Sequence, residues 1–396
     1  MSIEFSDEND VQQYVAHLKV VGVGGGGCNA VNRMVTAGVQ GVELIAANTD
    51  YKSLKKSLAA KKLQLGKEKT RGLGSGGVPT VGREAAIEST EDIQKALQGA
   101  DMVFVAAGLG GGTGTGSAPV VAEVAKKMGI LTVGVVTRPF EFEGPVRKSQ
   151  AEDGLNQMLP NVDAIIIIPN ERLNLVVEQD TDFFTAFHRA DEVLLHAIQG
   201  IAGVIHSEGF INRDFADVKR ILTAKGKVLM GSGYGTGDDR AMKAVKQAVN
   251  SPLLEDVDIA GATAILVQVT AGSNFTLNEF NQICGFLQKA ARPDAEIVPG
   301  MVRDENLHDG IRVTIIATGF AAQSKEVKVE GMLDLGEFLP KFQPAKPQAR
   351  AEVAPVRMEA APIPAGNHED EEILGGGQYE IPAYLRRRLA GKPSPN

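Results

Sequence analysis

Met102-Val103-Phe104-Val105-Ala106-Ala107-Gly108-Leu109-Gly110-Gly111-Gly112-Thr113-Gly114-Thr115-Gly116 is an apolar run that breaks into glycine, and a helical pattern follows from about Ala118 to Met128. The run carries no polar residue to turn toward water, as expected of a strand covered on both faces. A glycine loop between a strand and a helix brings backbone N–H groups together at a helix N-terminus. Such groups hold phosphate oxygens, and glycine is needed wherever a side chain would block the approach.

The same pattern occurs upstream, where Leu18 to Val23 runs into Gly24-Gly25-Gly26-Gly27 and then Asn29 to Met34. Gly22, Gly24 and Gly27 satisfy G-x-G-x-x-G, and Glu43 lies near the spacing of a ribose-binding acid. Taken alone, this loop is open to two readings, a dinucleotide site or a tight turn without a ligand. The segment Gly110 to Gly116 alters the balance, because two anion sites facing one crevice suit a nucleoside triphosphate better than a redox dinucleotide. A P-loop is excluded, since the Gly-Lys pairs at Lys67, Lys227 and Lys392 are each followed by a residue other than Ser or Thr.

Further strands are expected at Val42 to Ala47, ending in Asn48-Thr49-Asp50, at Leu131 to Val136 and at Ala164 to Ile168. Apolar strands alternating with helices predict an α/β fold with a parallel sheet covered on both faces. From Thr181 to about Ser207, Leu194, Ile198, Ile201 and Ile205 recur at helical spacing, which predicts one long central helix. Beyond it, strands near Val228 to Met230, Ala262 to Val269, Glu296 to Val298 and Val313 to Ala317 alternate with helices near Asp239 to Val249 and Leu277 to Ala290. They predict a second, smaller α/β domain. The chain divides on this reading into a flexible segment 1–16, a nucleotide-binding domain 17–180, the central helix 181–208, a C-terminal α/β domain 209–322, a flexible linker 323–376 and a terminal peptide 377–396. The linker is rich in Pro, Ala, Gln, Lys and Glu and buries too little apolar surface to offset ordering, so a disordered tail is expected. The terminal peptide sets Ile381, Tyr384 and Leu385 beside Arg386-Arg387-Arg388, as a short recognition segment would.

Composition narrows the function classes. No apolar run approaches the roughly 18 residues that cross a bilayer, and the acidic start Met1 to Asp10 lacks a basic region followed by an apolar one, so a cytoplasmic protein without direct membrane insertion is expected. Cys28 and Cys284 are too few for a disulfide framework or a zinc site. A net charge of −8 disfavours nucleic acid as a partner.

Gly110-Gly111-Gly112-Thr113-Gly114-Thr115-Gly116 resembles the signature of the tubulin and FtsZ superfamily, over approximately residues 17 to 320. Gly24 to Asn29, Ala47 to Asp50, Phe142-Glu143-Gly144 with Arg147, and Asn212 through Asp217 extend the resemblance, and Gln378 to Arg388 places it in the bacterial FtsZ branch. The resemblance implies GTP as substrate and GDP as product, with Mg2+ carried mostly by phosphate oxygens and water, so that no metal-ligating residue is named. Phosphate contacts would fall to Gly25, Gly26, Gly27, Gly112, Thr113 and Gly114, with Cys28 and Asn29 in the first loop. Glu143 and Arg147 would meet ribose and phosphates, Asn170, Phe187 and Asp191 would hold guanine, and Gly74-Ser75-Gly76 would sense the γ-phosphate. Asp214 and Asp217 would polarise the attacking water, with Asn212 helping to place it. The resemblance further implies a head-to-tail homopolymer forming the cell-division ring, and a terminal peptide that binds membrane-anchoring division proteins such as FtsA. Arg213 stands where an apolar residue is expected, and His188 and Arg189 flank the guanine site at variable positions.

Chemistry supports the base assignment separately. A carboxylate accepts hydrogen bonds from guanine N1–H and its exocyclic amine, whereas adenine offers an acceptor at N1. Phe187 precedes Asp191 by about one turn on the same helix face. Without the resemblance, a solvated Asp191 and a core Phe187 are the ordinary readings, and Asp214 would simply cap the helix starting at Phe215, with Asp217 favouring its dipole. Geometry adds a constraint on catalysis: about 16 helical residues separate Asp191 from Ser207, some 24 Å. If Asp191 touches the base, Asp214 and Asp217 lie too far away to act on the same chain's γ-phosphate, and a second subunit must supply them.

Overall fold

The computed structural model describes residues 16–173, 183–206, 215–223, 228–254 and 259–320. Asn212, Arg213, Asp214, the linker and the terminal peptide lie outside the described residues, as does most of the N-terminal segment.

The first part alternates strand and helix. β1 (Leu18–Val23) leads into α1 (Gly24–Thr36) and β2 (Val42–Asn48) into α2 (Tyr51–Lys56); β3 (Lys61–Gln64) precedes α3 (Pro79–Glu88) and α4 (Thr90–Leu97). β4 (Met102–Gly108) leads into α5 (Thr113–Lys127), β5 (Leu131–Arg138) into α6 (Pro145–Met158), and β6 (Ala164–Pro169) into the short α7 (Asn170–Leu173). The six strands are all parallel, in the order β3-β2-β1-β4-β5-β6. Successive residues of each strand face opposite ways. Val20 and Phe104 therefore join a core with α1, while Val21, Val103 and Val105 join a second core with α3 to α6 on the other face.

Two sequence expectations need correction. Gly24 to Gly27 and Thr113 to Gly116 are not loops before helices but the first turns of α1 and α5. Glycine is a poor helix former, and here close packing outweighs that preference. The strand β3 was not expected from the sequence: Lys-Lys-Leu-Gln is short and charged, as suits an edge strand.

The long helix is α8 (Phe183–His206), with Leu194, Ile198 and Ile201 fully buried along one stripe. α9 (Phe215–Leu222) follows it. The remainder comprises β7 (Leu229–Gly235), α10 (Arg240–Val249), β8 (Ala264–Ala271), α11 (Leu277–Ala290), β9 (Glu296–Arg303) and β10 (Ile311–Thr318). Its sheet, ordered β7-β10-β8-β9, is mixed: β10 is antiparallel to β7 and β8, whereas β8 and β9 run parallel. One face packs on α10 and α11, and from the other Leu266, Val298 and Ile316 join the core around α8. α8 is thus shared between the two sheets.

Candidate functional site

β1 and β4 are neighbours, yet α1 covers one face of the sheet and α5 the other. This is a topological switch point, where a crevice opens beyond the carboxyl ends of the strands. The N-cap residues Val23 and Gly112 make no side-chain cap hydrogen bond, so no capping side chain takes the donors of the first turns of α1 and α5.

The two turns touch. Gly24 has φ +72°, and a Cβ there would lie 2.6 Å from the Gly114 nitrogen. Gly27 is buried against Gly22 and the Ala106 carbonyl, so its glycine has a packing reason. Gly25 and Gly111 are different: each has φ outside the left-handed range and a Cβ would meet nothing within 4 Å. Neither strain nor packing explains glycine there, whereas a ligand lying against the backbone would. Gly26 and Asn29 are exposed beside Gly25. Cys28 points the other way. Its thiol reaches the Gly22 and Ala47 carbonyls and is pushed up to about 12 by burial, so its side chain supports the turn from beneath. An alkylating reagent is expected to leave Cys28 unmodified in the folded protein and to label it on denaturation, as mass spectrometry would report.

Thr113 ties three segments at this crevice. Its hydroxyl lies 2.6 Å from that of Thr49, after β2, and 3.0 Å from that of Ser75. The Thr49 carbonyl accepts from the Gly74 N–H at 3.3 Å, so the Gly74-Ser75-Gly76 segment sits against the α5 turn. A Cβ on Gly112 would lie 2.7 Å from the Val78 nitrogen. Sequence reasoning did not single out Thr49 as the link, because nothing in one chain's pattern shows which hydroxyls meet.

At the ends of β5 and β6 the side chains are larger. Glu143 accepts from the Phe140 N–H at 2.9 Å and from Arg147 at 2.5 Å, and is mostly buried while Arg147 is exposed. Phe140 stacks on Phe142 with centroids 5.0 Å apart, and Phe187 of α8 meets Phe140 edge-on at 5.2 Å. Asn170 is 5 % exposed, and its Oδ1 has no hydrogen-bond partner among the described residues. A buried acceptor left unpaired is costly and points to a missing donor. The Nε atoms of Arg33 and Arg138 are likewise buried and unpaired among the described residues.

Asp191 lies on α8 beside α1. Burial pushes its carboxyl up to about 7, with Arg33 opposing and Glu192 reinforcing the shift. Sequence reasoning missed Arg33, an isolated arginine two turns beyond the glycines.

Asp217 sits in the first turn of α9, 3.7 Å from Arg220, which also pairs with Glu296 of β9 at 2.5 Å. From Asp191 to the last residue of α8, His206, the unbroken helix runs about 15 residues or ~22 Å. Among the described residues, no group of three or more His, Cys, Asp and Glu side chains converges as a metal site.

The Tubulin/FtsZ family, GTPase domain, matches residues 17–178, and the FtsZ family, C-terminal domain, matches residues 226–321. The chain therefore belongs to the Tubulin/FtsZ family, and within it to FtsZ. Among solved structures, an empty FtsZ dimer from M. jannaschii is 45 % identical, with 79 % of this chain and 90 % of that chain covered and a TM-score of 0.75. A tryptophan-to-tyrosine mutant of the same FtsZ is also 45 % identical, covering 78 % and 92 % with a TM-score of 0.74. CetZ2 from Haloferax volcanii, solved as a GTPγS-bound protofilament, is 18 % identical over 77 % of this chain and 94 % of that one, at a TM-score of 0.64, and shares the fold.

Proposed function

We propose that this chain hydrolyses GTP to GDP and phosphate and polymerises head-to-tail into filaments of the cell-division ring, its GTP site completed by the next subunit. The observation that carries the nucleotide reading is the pair of uncapped glycine turns in contact at the switch point, with Gly25 and Gly111 leaving room for phosphates. Gly26, Gly27, Gly112, Thr113 and Gly114 complete that cradle, and Ser75 hangs over it through Thr113. Glu143 and Arg147 take the ribose and phosphates, and Asn170, Phe187 and Asp191 the guanine. The Asn170 Oδ1, unpaired among the described residues, and the half-buried Asp191 carboxyl are the acceptors that guanine's donors require. Mg2+ would neutralise charge on the triphosphate, ligated mainly by phosphate and water.

Thermal unfolding tests nucleotide choice. GTP or GDP at a hundredfold excess over Kd adds about 2.7 kcal/mol of stability and raises Tm, while ATP and NAD leave it unchanged. A rise with NAD and none with GDP would favour the dinucleotide reading of Gly22, Gly24 and Gly27.

Catalysis across subunits is supported by the length of α8, which runs about 15 residues beyond Asp191 to His206, with Asn212, Asp214 and Asp217 following it in the chain. A contact between unlike ends propagates into a filament. The M. jannaschii FtsZ, 45 % identical, was solved as a dimer, which favours self-association. The protein would act in the cytoplasm at the division site; among the described residues no helix is long and apolar enough to cross a membrane. Gln378 to Arg388 would recruit it to a membrane-anchoring division protein such as FtsA, with Ile381, Tyr384 and Leu385 as apolar anchors. Deleting residues 378–396 is expected to leave phosphate release and assembly nearly intact while abolishing recruitment to vesicles bearing the anchor. Loss of hydrolysis by the truncated chain would contradict that division of labour.

A further inference from the structure

Arg33 of α1 reaches Glu192, the residue next to Asp191 on α8. α1 begins with the glycine turn and carries Arg33 in its last turn, and α1 packs along α8. On α8, Glu192 accepts from Arg33 Nη2 at 3.3 Å and from Arg189 Nη1 at 2.8 Å. One carboxylate is therefore shared by two guanidinium groups, which leaves an excess positive charge beside Asp191. The Nε of Arg33 is buried without an acceptor among the described residues. With Asp191 ionised, the four side chains are charge-balanced; with it protonated, they carry one net positive charge.

We propose that Arg33 is a positioning residue for base recognition: anchored by Glu192, its guanidinium keeps Asp191 a carboxylate, the form that reads guanine. This rests on the reading of Asp191 as the guanine acceptor. Guanine N1–H and its 2-amino group both donate, so only the carboxylate complements them, and a protonated carboxyl would set a donor against N1–H. Burial works against the charged form, Glu192 adds to that effect, and Arg33 is the opposing charge. The other titratable and charged groups around this cluster are Arg189, His196 and the exposed His188 on α8, and Arg312 of β10, which interacts with Glu192. His196 is pulled down to about 3 by burial, with Arg312 and Arg189 adding to it. The sign follows from the direction of the shift. An acid raised to about 7 is half carboxylate at that pH and nearly all carboxylate one unit above it, so guanine nucleotide affinity levels off near pH 8 and weakens as pH falls through 7. Removing Arg33 moves that onset upward.

The test is the pH profile of GDP affinity on the full chain, followed by calorimetry from pH 6 to 9. Arg33→Gln is expected to bind GDP about fivefold more weakly than wild type at pH 7 and about tenfold more weakly near pH 6, from a shift of about one pKa unit, and to come close to the wild-type affinity by pH 9. Arg33→Lys, which keeps the charge and guards against a folding defect in the first variant, should follow the wild-type profile. An Arg33→Gln variant equally weak at every pH, or unchanged at pH 7, would overturn the proposal and leave Arg33 a purely structural contact. Asp191→Asn separates the underlying reading: wild-type GDP affinity with the pH dependence intact in that variant would remove Asp191 from the base site, and Arg33's role with it.

Discussion

An equimolar mixture of Gly25→Asp and Asp217→Ala chains is expected to hydrolyse GTP although each variant alone is nearly inactive. Gly25 is the informative position for the first variant, because a side chain there meets nothing in the protein and its φ lies outside the left-handed range. An acidic residue in the first turn of α1 is favourable for the helix itself, so Tm should not fall. The same carboxylate would stand where phosphate is proposed to lie. A like charge at about 4 Å costs on the order of 4 kcal/mol in a partly screened site, roughly a thousandfold in affinity. Asp217→Ala keeps the pocket and loses the carboxylate proposed to polarise the attacking water, with at least about a hundredfold loss of turnover expected. In a random filament a pocket from one variant meets Asp217 from the other at about a quarter of the junctions, which sets the expected recovery. Phosphate release measures it. A mixture as inactive as its components would leave Asp217 as a helix-terminal residue paired with Arg220.

The second large effect is a change of nucleotide preference. Asp191→Asn is expected to weaken GDP by about ten- to a hundredfold, the usual cost of about 1.5 to 3 kcal/mol for losing a hydrogen bond to a charged group. The same variant should bind xanthosine diphosphate better than wild type does. Xanthine carries a carbonyl where guanine carries its amino group, and an asparagine amide can donate to that oxygen while still accepting from N1–H. ATP should gain nothing, since adenine offers an acceptor at N1. Competition binding with the three nucleotides reads the outcome, and unchanged preference would place the base elsewhere.

Much of this was legible because two glycine segments each sit between an apolar strand and a helical pattern, and because β1, β4 and β5 are mostly apolar and buried nearly throughout. The stripe of Leu194, Ile198 and Ile201 likewise announced α8. What stayed hidden depended on tertiary contact. Glycine-rich turns look like loops in sequence because isolated glycine disfavours helix, and only the contact of Gly24 with Gly114 shows why these turns are wound. The link through Thr49, and Arg33 and Arg138, rest on single polar residues far apart in the chain, and no periodicity marks them. Gly25 and Gly27 are indistinguishable as letters, yet one faces open space and the other the sheet. The resemblance puts Cys28 in the first loop, and its sulfur is part of the core beneath it.

The central claim is that assembly builds the catalytic site, and the most direct measurement is phosphate release per chain as a function of protein concentration, read alongside light scattering with GTP and with GDP. The account predicts negligible turnover below a critical concentration, a steep rise above it that coincides with scattering in GTP, and neither signal in GDP. Turnover per chain that is constant with concentration, with or without scattering, would contradict it.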